Sequence, residues 1–264
     1  MIYEHLPKSL KAPYKKFYWR LFYNYIGIVG KLRPAKFLNH GFAEEGVTID
    51  NISLSDLGKL PEKLYLHLFE QAPPTGKHVI EIGCGRGAGL ALMQEYYQPA
   101  RTVGLDLSDT NIGRCKKLYR NLNIEFIRGN AEKQIFPDET FDVVFNLESS
   151  HCYVSKRKFY ENVHSILKDN GYFVYSDAFW YDPLIEAMEK EFDEIGFDLE
   201  KKEDISSQVF HAIEIKSIIK EYYAQGPSKP KNVMNNFVAG PGSEMYEYFR
   251  NGSVKYFLYV LRKK

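Results

Sequence analysis

The stretch His78-Val79-Ile80-Glu81-Ile82-Gly83-Cys84-Gly85-Arg86-Gly87-Ala88-Gly89 decides the fold. Val79, Ile80 and Ile82 form a short β-rich apolar run that stops at glycines, which reads as a buried strand. Beyond the glycines, Leu90, Leu92, Met93, Tyr96 and Tyr97 follow a helical pattern. Strand, glycine turn and helix in that order are the layout of a nucleotide pocket at the carboxyl end of a parallel sheet. Glycines let the backbone approach a ligand closely, and the helix N-terminus supplies N–H groups that have no partner within the helix. Glycines in an ordinary tight turn are the plainer alternative. Gly83-x-Gly85-x-x-Ala88 also fits a loose dinucleotide fingerprint, so an NAD-dependent oxidoreductase is an open reading at this point.

Working outward, Arg101 to Asp106 is a second strand ending in an acid. Asp106 falls about twenty residues beyond the glycine loop, where a carboxylate can accept two vicinal ribose hydroxyls. A helix N-cap is the competing role, but Ser108 or Asp109 fits it better. A helix is expected over Thr110 to Leu122 and a third strand over Ile124 to Arg128, followed at once by Gly129-Asn130-Ala131-Glu132. Phe141 to Asn146 is a fourth strand, and Leu147-Glu148-Ser149-Ser150-His151-Cys152-Tyr153 follows it as a second chemical centre. Lys156 to Leu167 reads as a helix, Asp169-Asn170-Gly171 as a turn, and Tyr172 to Asp177 as a fifth strand. Helices over Pro183 to Ile195 and Ser206 to Ala224, a sixth strand from Gly196 and a closing strand over Gly252 to Arg262 complete the chain. On the other side, Ser53 to Gln71 is an amphipathic helical region interrupted by Pro61, and Ala72-Pro73-Pro74-Thr75-Gly76 breaks the chain before the first strand.

The 264 residues are those of one elaborated domain, with 44% hydrophobic and 26% charged residues. A formal net charge of +1 argues against a nucleic-acid-binding stripe. Three cysteines, Cys84, Cys115 and Cys152, without a CxxC pair point to a reducing, cytoplasmic setting. The aromatic fraction is 15%, which suits either a large apolar cavity or an aromatic core. Residues 1–36 are basic and aromatic, with a helix-like centre from Tyr14 to Ile26 that is too short and too charged to span a bilayer. A lid over a substrate pocket is the favoured reading. Peripheral contact with a membrane surface and an ordinary packed helix are the alternatives.

Glu81, two residues before the first glycine, completes a Glu-x-Gly-x-Gly-x-Gly pattern that resembles motif I of the class I S-adenosylmethionine-dependent methyltransferases. The likeness runs over about residues 77–178. It extends to one subgroup through Asn39-His40-Gly41-Phe42, through Glu148-Ser-Ser-His151, and through Phe237 to Ser243 with the final strand. These segments are similar to bacterial methyltransferases acting on phthiotriolone and related lipids. The resemblance implies an α/β, Rossmann-like fold with a seven-stranded, mostly parallel sheet and helices on both faces. Residues 1–36 carry none of the likeness; a helical N-terminal lid or substrate region over 1–72, a cofactor-binding core over 73–264 and, from the position of the insertion, a lid around 205–245 are the expected organisation. The resemblance further implies S-adenosyl-L-methionine as cofactor and S-adenosyl-L-homocysteine as product. Glu81, Gly83, Cys84, Gly85, Gly87, Asp106, Leu107, Asn130, Ala131, Glu132 and Asn146 are the expected cofactor-binding residues. Asn130 stands where this class commonly has Asp, and its carbonyl oxygen can still accept from the adenine amino group.

The expected reaction is methyl transfer to a hydroxyl of a lipophilic small molecule such as a polyketide or lipid. Asn146-Leu-Glu-Ser replaces the Asn/Asp-Pro-Pro-aromatic signature of amino methyltransferases, which disfavours exocyclic amines. The segment is also similar to that of tocopherol-type carbon methyltransferases, so a prenyl or other isoprenoid carbon is the alternative acceptor. For an alcohol, a base near neutral pKa helps, and His151 is the natural one. Glu148 is expected to orient that imidazole, contact substrate or face the cofactor. His211 is a weaker candidate, and His164 is read as structural. No zinc spacing occurs, and no metal is expected. A catalytically silent methyltransferase-like binding subunit is the remaining rival.

Overall fold

The computed structural model describes residues 36–48, 51–180, 182–223 and 239–264, together with Phe17, Tyr18 and Leu21. The expected N-terminal lid or membrane helix, and the middle of the expected 205–245 insertion, therefore lie largely outside the described residues.

The strands are β1 (His78–Ile82), β2 (Arg101–Asp106), β3 (Glu125–Arg128), β4 (Phe141–Leu147), β5 (Leu167–Phe179), β6 (Phe197–Asp204) and β7 (Lys255–Lys263). They form one seven-stranded sheet in the order β3-β2-β1-β4-β5-β7-β6. Strands β1 to β5 pair in parallel, and only β7 runs antiparallel to its neighbours β5 and β6. The sequence order reverses between β1 and β4, so the crevice outside the ends of β1, β2 and β4 is the place for a ligand.

Helices α1 (Leu54–Leu57) and α2 (Leu60–Gln71) precede the sheet, with Pro61 in the first turn of α2, where a missing N–H costs nothing. Pro61 thus starts a helix after a short break. Helices α3 (Ala88–Tyr97), α4 (Asp109–Leu118), α5 (Lys156–Ile166) and α6 (Asp182–Ile195) connect successive strands; α7 (Ser206–Tyr223) and α8 (Glu244–Arg250) lie between β6 and β7. Ser108 caps α4 by accepting from the Asn111 N–H at 3.2 Å, which leaves Asp106 free of that task. The turn expected at residues 169–171 lies inside β5, which begins at Leu167 beside Phe141 and resumes its register at Tyr172 after an irregularity.

Alternation along β1 sends Val79 and Glu81 to one face and Ile80 and Ile82 to the other. Val79 joins a core under α2, α3 and α7, while Ile80 and Ile82 join a second core under α5 and α6. The second core explains the aromatic composition. Phe159, Tyr160, Phe173, Tyr175, Phe192, Phe197 and Tyr259 are fully buried there and meet in stacked and edge-to-face pairs. Such pairs contribute about 0.5–1.5 kcal/mol each beyond their burial. Much of the aromatic content is therefore core rather than cavity.

Candidate active site

The glycine loop after β1 is held open by backbone contacts. Gly83 and Cys84 both donate to the Leu105 carbonyl at the end of β2, at 2.7 and 3.0 Å. Gly85 donates to one Asp106 oxygen at 2.9 Å, and Ser108 donates from the backbone to the other at 2.8 Å. Burial lifts the Asp106 carboxyl to about 6, against these two backbone hydrogen bonds, which favour the anion. Gly83 has φ +81, and a Cβ there would lie 2.2 Å from Ser149 Oγ, so no other residue fits without displacing the loop after β4. A Cβ on Gly85 would meet nothing nearer than Leu38 at 3.6 Å and would stand in open cavity.

That cavity has a volume of about 570 Å³ and lies at the switch point of the sheet. On one side it is walled by Gly83, Cys84, Gly85, Asp106, Leu107, Asn130, Ala131 and Glu132. Glu132 is fixed by the Ser155 N–H at 2.6 Å, and Asn130 Oδ1 accepts from the Glu132 N–H at 3.3 Å. Three expected cofactor residues stand behind the wall instead of lining it. Gly87 starts α3 at φ +73, packed against Phe126. Asn146 is fully buried and donates to the Ile82 carbonyl and to Ser149 Oγ, both at 2.7 Å, so it ties β4 to the glycine loop. Glu81 points with Val79 into the core, where Oε1 accepts from the Tyr65 hydroxyl at 2.7 Å and Oε2 has no hydrogen-bond partner among the described residues. Burial raises the Glu81 carboxyl to about 8 despite that bond.

The opposite side carries the loop after β4, the end of β5 and the segment around residue 40. His151, on a short 3-10 turn over Ser150–Cys152, faces the cavity, and its Nδ1 lies 3.0 Å from Asp177 Oδ1. Asp177 is otherwise enclosed: Ser150 Oγ donates to Oδ2 at 2.6 Å, the His151 N–H donates to Oδ2 at 3.1 Å, and the Ala178 N–H to Oδ1 at 2.8 Å. Burial opposes charge on the His151 ring, but the Cys152 sulfur and the Asp177 carboxylate outweigh it and hold its pKa well above the ordinary histidine value. In return, and against its own burial, Asp177 is held down at about 2.

Glu148 also lines the cavity, but it does not orient His151; Asp177 does. Glu148 Oε1 accepts from the His40 N–H at 2.9 Å and the Tyr256 hydroxyl at 2.7 Å. Glu148 itself sits at φ +46, a conformation that costs a non-glycine residue about 1–2 kcal/mol and is offset here by those bonds and by its N–H on the Ser176 carbonyl. No local spacing pairs Asp177 with His151 or Tyr256 with Glu148, and Lys216 carries no sequence signal. Lys216 donates to the His40 carbonyl at 2.6 Å, and burial lowers its pKa to about 8 against the raising effect of Glu148. His211 does not reach the cavity; its Nε2 meets the Val47 carbonyl, which pins α7 to the segment after residue 40. His164 packs edge-on against Phe197, in keeping with a structural role. Phe37, Val154, Trp180 and Met245 supply an apolar surround. No cluster of metal-ligating side chains occurs among the described residues, and no helix among them is long and apolar enough to cross a membrane.

Residues 80–175 match the family described as methyltransferase domain. The chain is 31% identical over 234 residues to a fatty-acid O-methyltransferase of Mycolicibacterium smegmatis, covering 86% of this chain and 83% of that protein. It is 30% identical over 214 residues to a phthiotriol/phenolphthiotriol dimycocerosates methyltransferase of Mycobacterium tuberculosis, covering 77% of each. Among solved structures, geranyl diphosphate C-methyltransferase from Streptomyces coelicolor A3(2), bound to Mg2+, geranyl diphosphate and S-adenosyl-L-homocysteine, superposes with a TM-score of 0.72. It covers 95% of this chain and 98% of that one at 14% identity, a likeness of fold. The family match and the two relatives set aside the dinucleotide reading, and the glycine loop, the acid at the end of β2 and the open cavity between them fit S-adenosylmethionine; the chain belongs to the class I S-adenosylmethionine-dependent methyltransferases.

Proposed function

We propose that this enzyme moves a methyl group to a hydroxyl of a lipophilic small molecule, with His151 as general base. The observation that carries the proposal is the His151–Asp177 pair on the wall of the cavity that also holds the glycine loop. S-adenosylmethionine supplies an activated methyl carbon when bound. Gly83, Cys84, Gly85, Asp106, Leu107, Asn130, Ala131 and Glu132 are the residues that would hold it. The remaining work for the protein is to align a nucleophilic oxygen, accept its proton and keep water away. Asp177 fixes the His151 tautomer with the proton on Nδ1, so Nε2 is the basic atom, and it stabilises the imidazolium that forms. Phe37, Val154, Trp180 and Met245 would receive the apolar part of the acceptor. The names of the two relatives point to lipid-like acceptors, which supports the same reading.

An isoprenoid carbon is the second reading, because the Glu148 carboxylate on the same wall would stabilise positive charge on an alkene after methylation. A fatty-acid carboxylate, as in one relative, would need no base at all. Transfer of labelled methyl to long-chain alcohols, free fatty acids and geranyl diphosphate separates the three. The hydroxyl reading expects alcohol products, with turnover reduced at least about 10²-fold in His151→Ala. Labelling of the carboxylate or the isoprenoid alone, or full turnover of the alcohols by His151→Ala, would overturn it.

A further inference from the structure

The cavity holds a second histidine–carboxylate pair. Both backbone groups of His40 are tied, its N–H donating to Glu148 Oε1 and its carbonyl accepting from Lys216 Nζ. Asn39 reinforces this, donating to the Pro61 carbonyl at 3.1 Å and accepting from the Gly41 N–H at 2.9 Å. The His40 ring lies edge-on to Phe249 and lines the cavity. Its Nε2 is 4.0 Å from Glu148 Oε2. That separation is too long for a direct hydrogen bond but suits a single oxygen bridging the two. Glu148 Oε1 is already taken by His40 and Tyr256, which leaves Oε2 to accept from a ligand. Burial lowers the His40 pKa, with Glu148 and Asp177 opposing and Lys216 and His151 reinforcing, which favours the neutral ring, able to donate as well as accept.

We infer that His40 and Glu148 form a second polar subsite that binds a further hydroxyl of the acceptor, which donates to Glu148 Oε2 and accepts from His40 Nε2–H. The enzyme's acceptors are then lipophilic molecules with at least two hydroxyls, one presented to His151 and one held at His40. A carboxylate is excluded from this subsite because it has no proton to give Glu148 and carries the same charge. The inference rests on reading the cavity as a site for a hydroxylated acceptor.

The test is calorimetric titration of the full-length protein, saturated with S-adenosyl-L-homocysteine, with 1-decanol and with 1,2-, 1,3- and 1,4-decanediol. At least one diol should bind about tenfold more tightly than the mono-alcohol, equivalent to about 1.4 kcal/mol. His40→Phe should bring that ratio close to one, and His40→Gln, which keeps a donor, should retain part of it. S-adenosyl-L-homocysteine binding by each variant reports that it is folded. Equal affinity for all four compounds, binding of none, or an undiminished ratio in His40→Phe overturns the inference. Methyl transfer to the same compounds tells the two readings apart. A His40-dependent diol preference without transfer to any hydroxyl removes the base assignment and leaves the subsite standing. Transfer without diol preference does the reverse.

Discussion

The wall of the cavity proposed to hold the cofactor comes from three short segments, each at the end of a strand or in the first turn beyond it, and most of its polar contacts are made by backbone N–H and C=O groups. The wall proposed for the acceptor takes His40, Glu148, His151 and Asp177 from three separate parts of the chain and depends on side-chain hydrogen bonds, some between residues more than 100 positions apart. Backbone geometry constrains residue type strongly, because only glycine tolerates the approach of Ser149 at Gly83. Side-chain pairing constrains it weakly, because an acid at the end of β5 has many possible uses. The cofactor wall should accordingly fail in binding when altered, and the acceptor wall in turnover.

The largest expected effect tests the acceptor wall. Asp177→Asn keeps the size of the side chain but removes the charge that fixes and stabilises the His151 imidazolium. Turnover should fall by about 10²–10⁴-fold, as when the acid of a comparable triad is neutralised. The affinity for S-adenosylmethionine, measured by calorimetry, should stay within a few-fold of wild type. A large loss of cofactor affinity would show that the two walls are not separable.

Asp106→Ala is the reciprocal test. It removes the carboxylate expected to take the ribose hydroxyls and also frees the Gly85 and Ser108 N–H groups. Losing charge-assisted hydrogen bonds of about 1.5–3 kcal/mol should weaken cofactor binding by about 10–10²-fold. Saturating cofactor should restore most of the turnover. Undiminished cofactor affinity would remove Asp106 from the site.

This contrast explains how far the sequence could be read. The strand–glycine–helix unit, Asp106 at the end of β2 and the succession of the strands β1 to β5 were legible because each is a local pattern. Glu81 and Asn146 belong to segments that reach the cavity, but strand alternation and burial turn their side chains away from it. Orienting His151 was one of three roles open to Glu148, because it is close to His151 in sequence. Its partners, His40 and Tyr256, are both 108 residues away in the chain, and no local spacing reveals such contacts. The turn expected before β5 failed because Asn170, at φ +61, accommodates the irregularity inside the strand itself.

The pH dependence sharpens the difference further. As a base, His151 works in its neutral form, so kcat/KM should rise with pH as the ring loses its proton. Because Cys152 and Asp177 outweigh burial and raise its pKa, the midpoint should lie above the ordinary 6.5. In Asp177→Asn, the residual activity should show that midpoint moved downward. In Asp106→Ala at saturating cofactor it should not move. A wild-type profile flat from pH 6 to 9 would argue against His151 as the base.

Glu81 carries the smallest effect on turnover; its effect is on stability. Its folded-state pKa is raised by burial from 4.5 to about 8, so between those values the folded protein holds a proton that the unfolded chain has released. Stability then falls as pH rises through that window, by up to about 1.4 kcal/mol per unit. Glu81→Gln keeps the acceptor for the Tyr65 hydroxyl and has no proton to lose. Melting curves of the cofactor-free proteins should nearly coincide at pH 5, with the variant several degrees ahead by pH 8. A gap that does not widen would mean that Glu81 is ionised in the folded enzyme, with a counter-charge reaching it from the cavity side. Glu81 would then belong to the cofactor wall after all, and the boundary between core and site would shift inward by one residue on β1.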